Sequence, residues 1–126
     1  MTKIVAVLFA AAVLLAGCDG DTGTVSSSPN PSGKDSSGAV VVDIAVKDGK
    51  VTPQGDRVDV KVGQKVTLHI TSDAEEAIHV HSEPEHEYEV GPGDDVEKSF
   101  TIDTPGQIAV EAHHLDLTIV QLVVRP

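Results

Sequence analysis

Six histidines lie between positions 69 and 114, and their spacing carries the chemistry this chain could do. His79 and His81 are two residues apart. On an extended strand, residues i and i+2 share a face about 7 Å apart, so two imidazoles there can grip one ion. His86 follows on a stretch that reads as a loop able to fold back. Glu111 and His113 form a second pair at the same spacing, with His114 beside them. Three or four nitrogen and oxygen donors suit Cu²⁺ or Zn²⁺. Cu⁺ prefers thiolate or thioether, and residues 39–126 hold neither Cys nor Met. The expected metal ligands are therefore His79, His81 and His113, with His86 or Glu111 completing the shell. Binding through imidazoles weakens below about pH 6, where histidines protonate.

Residues 73–97 hold half of the acidic side chains and no Lys or Arg. Carboxylates so placed favour a bound cation and can orient imidazoles from behind. The same residues also fit a solvated strand face on a metal-free scaffold or protein-interaction domain, and the sequence leaves both readings open. His69 has the solvent-side parity of its strand and is assigned no role. His114 has the parity of Val110 and Ala112, which implies partial burial and a hydrogen bond.

Positioning these residues requires strands. From Ala39 onward the apolar residues recur at period two: Val40, Val42, Ile44 and Val46; Val58, Val60 and Val62; Val66, Leu68 and Ile70; Ile78 and Val80; Phe100 and Ile102; Ile108, Val110 and Ala112. Such alternation marks strands with one packed and one wet face. Residues 118–124 are nearly continuously apolar and read as a central strand. Asp48-Gly49, Gly63-Gln64, Gly91-Pro92-Gly93 and Thr104-Pro105-Gly106 punctuate the runs as turns. Short strands at this spacing, without a long amphipathic helix or an internal repeat, predict an all-β sandwich over residues 39–126.

The amino-terminal third differs. Lys3 precedes an unbroken apolar run over residues 4–15, then Ala16, Gly17 and Cys18. The run is shorter than the ~20 residues a membrane span needs, so it reads as a secretory leader. Leu15-Ala16-Gly17-Cys18 resembles the bacterial lipobox. That resemblance implies a signal peptide over 1–17, cleavage before Cys18 and lipidation of its thiol. The product would be anchored on the extracytoplasmic face of a cell membrane. Cys18 is the chain's one cysteine, so no internal disulfide can form. Residues 18–38 are rich in Ser, Gly, Thr, Pro and Asp and predict a disordered linker.

Nine Lys and Arg against twenty Asp and Glu give a formal net charge of −11. Such acidity excludes nucleic-acid binding by phosphate neutralisation and repels anionic lipid, leaving the lipid anchor to hold the membrane alone. A membrane-protein partner is compatible with this placement, though nothing in the sequence specifies one. No Gly-x-Ser-x-Gly, phosphate-binding glycine loop or EF-hand spacing is present, so a binding module is expected rather than an enzyme.

Three segments together look like a cupredoxin-like domain: residues 70–81 with their His79-Val80-His81 ending, Pro105-Gly106-Gln107-Ile108-Ala109-Val110-Glu111, and Leu122-Val123-Val124-Arg125-Pro126. The resemblance covers residues 39–126 and is similar to small actinobacterial lipoproteins. It implies a Greek-key β-sandwich whose metal, when present, sits among loops at one end. Blue-copper members use a His, a Cys, a second His and usually a Met. Here His79 stands where the first His is expected, the cysteine position falls near Ala112, and the domain has no Met. Without a thiolate, a blue-copper electron carrier is not expected. His-Val-His on a β-sandwich also resembles copper-zinc superoxide dismutase. That family is longer, normally disulfide-bonded, and guides its anion with an arginine. Only Arg57 and Arg125 are available here, and the negative charge would repel superoxide.

Overall fold

The computed structural model describes residues 32–126. The leader expected over 1–17, the lipidation expected at Cys18 and most of the expected linker fall outside the described residues. Ten strands form two sheets. The first sheet holds β1 (Ser32–Lys34), β2 (Val40–Lys47), β5 (Lys65–Ser72) and β8 (Asp95–Thr101) in that order, with β3 (Lys50–Thr52) paired on β2. The second runs β4 (Asp56–Lys61), β10 (Leu117–Arg125), β9 (Gly106–Ala112), β6 (Glu76–Val80) and β7 (His86–Val90). Most neighbours are antiparallel, but β2 with β5 and β4 with β10 run parallel, because the chain crosses repeatedly between sheets. Among the described residues no helix is long and apolar enough to cross a membrane.

The period-two runs decide this architecture. Val40, Val42, Ile44 and Val46 face inward from β2, and Val66, Leu68 and Ile70 do so from the paired β5. Ile78 and Val80 from β6 and Val110 and Ala112 from β9 meet them from the other sheet. The near-continuous apolar β10 lies between β4 and β9, and Ile119, Val120 and Leu122 on it are fully buried. Its register against β9 slips between Thr118 and Val120. Turn chemistry fixes the ends. Asp48 and Gly49 both take positive φ, as a two-residue hairpin between Lys47 and Lys50 requires. Gly93, at φ 88°, follows Pro92 where a type II turn needs a left-handed residue.

The linker expectation over 18–38 needs one correction. Ser32–Lys34 pairs with Val40–Val42 as β1, and Asp35 tightens the connection by accepting the N–H groups of Ser37 and Ala39. The sheet edge of β2 offers free backbone partners, and a polar segment can pair there without a side chain to bury.

His69 acquires a role. It stands on the outer face of the first sheet, directly opposite Asp43 on β2 and Glu97 on β8. Its Nδ1 lies 2.9 Å from Asp43 Oδ1 and its Nε2 2.7 Å from Asp95 Oδ1. Hydrogen bonds to Asp43 first and Asp95 second raise its pKa above the ordinary value. A raised histidine pKa stabilises the fold fully at pH values below the unfolded pKa, and that contribution is lost as pH rises through the folded one. The ion triad is partly exposed, so its worth is about 1 kcal/mol or less. His69→Gln is therefore expected to lower the urea midpoint measurably at pH 5.5 and distinctly less at pH 9. An equal loss at both pH values would show that the triad carries no charge-dependent stability.

Candidate metal centre

Strand β6 positions the site. It lies between β7 and β9, and Ile78, His79 and Val80 have a partner on both sides. His79 is opposite Glu87 on β7 and Glu111 on β9. Ile78 and Val80, on the alternate face, are fully buried. His79 consequently points out of the sandwich, but its neighbours cover it, and its side chain is only 18% exposed. His81 follows at the end of the strand, on the same face, with its ring centroid 4.2 Å from that of His79.

The chain then turns sharply. Ser82 donates its N–H to Val80 O and its hydroxyl to Pro84 O. This turn returns Glu85 to the imidazoles, with Oε2 3.5 Å from His79 Nε2. Donor atoms of His79, His81 and Glu85 all lie within 4.8 Å of one another. In a tetrahedral zinc site with bonds near 2 Å, donors stand roughly 3.3 Å apart. The three side chains, at least partly exposed, would rotate to close that difference around an ion.

Glu111 and His113 flank the pair. Glu111 Oε2 lies 2.7 Å from His81 Nε2. His113 sits just past β9, its N–H donated to Ala77 O, and its ring centroid is 6.5 Å from that of His79. His79, His81, Glu111 and His113 line one open cavity of about 390 Å³, together with Leu117 and Thr118. Two imidazoles and a carboxylate thus converge, and a third imidazole and second carboxylate stand beside them. This donor set fits a divalent cation of the Cu²⁺ or Zn²⁺ kind.

Of the five expected ligands, the structure gathers His79, His81, Glu111 and His113 around one cavity and sets His86 apart. His86 is the first residue of β7 and pairs with Val80, not His79, which places it on the inner face. Its ring packs against Phe100 at 5.2 Å and Tyr88 at 6.0 Å between centroids. The residue that folds back is its neighbour Glu85, which the sequence reading did not select. One signal was available: His86-Glu87-Tyr88-Glu89-Val90 alternates in strand fashion and assigns His86 to the face of Tyr88 and Val90. His114 is half exposed rather than semi-buried, with Nδ1 3.3 Å from Glu75 O.

A blue-copper ligand set does not fit. Ala112, at the expected cysteine position, is fully buried and offers no donor side chain. Beside it, the loop between β9 and β10 is occupied by hydrogen bonds to the buried side chain of Glu76.

Comparison with solved structures addresses the architecture. A multicopper oxidase crystal structure superposes with a TM-score of 0.52 at 13% identity, over 75% of this chain and 46% of that one. A mutant of amicyanin in its Cu(I) form gives 0.46 at 18% identity, over 68% and 82% of the two chains. A heme-copper terminal oxidase gives 0.49 at 17% identity, over 68% and 64%. No family model and no curated protein matches the sequence. The multicopper oxidase likeness shows the fold: this chain is a two-sheet β-sandwich of the cupredoxin-like kind.

Proposed function

We propose that this protein is a lipid-anchored, extracytoplasmic binding module that takes Cu²⁺ or Zn²⁺ on the outer face of its second sheet. The convergence of His79, His81 and Glu85 donor atoms within 4.8 Å carries this reading. His113 is the side chain placed to add a third imidazole, and Glu111 orients His81 through its hydrogen bond. If His81 keeps that bond through Nε2, Nδ1 is left to meet the ion, the usual division of labour in a carboxylate–histidine–metal arrangement. The ion itself would supply a localised positive charge where carboxylates crowd. The acidic stretch that contains Glu85 and Glu87 lowers the local potential and favours a cation over an anion. The lipobox-like Leu15-Ala16-Gly17-Cys18 supports anchoring, and no motif for catalysis stands near the cavity.

Calorimetric titration of the protein with Cu²⁺ and with Zn²⁺ is the direct test. At least one ion is expected to bind well below millimolar. His79→Ala combined with His81→Ala should abolish that binding. Glu111→Gln should weaken it about 10-fold, within the range seen when an orienting partner is lost, and His86→Ala should leave it unchanged. Binding no tighter than roughly millimolar, or full binding by the double variant, would overturn the reading in favour of a metal-free scaffold. For the anchor, Cys18→Ser is expected to move the protein from the membrane fraction to the soluble one. Retention of the variant in the membrane would contradict lipid attachment at that residue.

A further inference from the structure

Glu76 opens β6 three residues before His79, yet its side chain is 1% exposed. Burying a carboxylate is costly unless hydrogen-bond donors replace its water, and here they do. Oε1 accepts the N–H of Ala77 at 2.8 Å and that of His114 at 2.7 Å, and Oε2 accepts the N–H of Leu115 at 3.2 Å. Two of these three donors belong to the loop joining β9 to β10, far away in sequence. The same loop is fastened again by His113 N–H to Ala77 O at 2.9 Å, and it closes on itself through Asp116 N–H to His113 O at 3.2 Å. His113 is therefore pinned by its own N–H to one β6 residue, while the next two N–H groups are pinned to the adjacent β6 side chain.

That loop follows Ala112, where a blue-copper relative would place its thiolate and begin its remaining ligands. In this chain a protein carboxylate joins that loop to the neighbouring strand. We infer that Glu76 is a positioning residue of the metal site: it holds the loop from His113 to Leu115 against β6 and so presents His113 to His79 and His81. This role rests on the metal-binding reading above.

The test is a double-mutant cycle in Cu²⁺ affinity. Glu76→Gln keeps the side chain's shape and one acceptor but turns an N–H₂ toward the Leu115 N–H. It should weaken Cu²⁺ binding about 10-fold, by the same factor as His113→Ala, and the double variant should be no weaker than either single one. Unchanged affinity in Glu76→Gln, or losses that multiply, would overturn the inference. Should Glu76→Gln fail to fold, the unmodified protein still decides. Zn²⁺, which is diamagnetic, should shift the imidazole NMR signals of His79, His81 and His113 and leave those of His86 nearly in place. Zn²⁺ binding that leaves the His113 signals unmoved overturns the positioning role alone. Absence of both Cu²⁺ and Zn²⁺ binding by the unmodified protein overturns the metal reading and this role with it.

Discussion

Everything about the candidate site depends on the register of β6 between its two neighbours. A strand sends successive side chains to opposite faces, so one residue of slip would exchange every inward and outward group. Ile78 and Val80 are buried completely and lock the register on one face. His79 is then bound to face outward between Glu87 and Glu111, and His81 must follow it. The apolar residues thus determine the placement of the polar ones. A site built on such a strand gains precision from the core beneath it, which loops alone would not provide.

This dependence explains what was legible in the sequence and what was not. The strands with strict alternation, such as those carrying Val66, Leu68 and Ile70 or Ile78 and Val80, could be read because their pattern has one solution. The face shared by His79, His81, Glu111 and His113 followed from the same parity. His86 was misplaced because the strand it begins contains only one aliphatic residue, Val90, and its alternation is carried by His and Tyr instead. Glu85 was missed because a turn held by Ser82 brings it back, and turn geometry is not periodic. β1 escaped for a different reason. Its pairing satisfies backbone groups at an edge and buries almost nothing, so it leaves no apolar trace. Glu76 was hidden among neighbouring acids, since composition does not distinguish a buried carboxylate from an exposed one.

The two sheets use their outer faces differently. On the first, His69 is saturated: both ring nitrogens are engaged by Asp43 and Asp95, which raises its pKa. No lone pair is left there to meet an ion, although carboxylates surround it. On the second, His79 has a carboxylate at 3.5 Å and a second imidazole against its ring. One arrangement spends its imidazole on internal ion pairs that stabilise the sheet at mildly acidic pH. The other leaves nitrogen donors available. Similar residue types on similar strands therefore form ion pairs on one face and leave donors open on the other, and the difference lies in how many acceptors reach each ring.

The chemistry open to the fold is narrowed further by what it lacks. A thiolate at the position of Ala112 would put a soft, electron-rich donor at the end of the sandwich, where it could support rapid electron transfer. The chain's one cysteine is Cys18, far upstream of the sandwich. With a methyl group at Ala112 and a carboxylate at Glu76, the loop between β9 and β10 is held by protein hydrogen bonds and needs no ion to close. Formation of the sandwich therefore does not call on an ion, in contrast to small domains that fold only around their metal. What remains is a half-exposed set of nitrogen and oxygen donors on a prefolded face. Such a site can gain and lose an ion while the core beneath it stays intact.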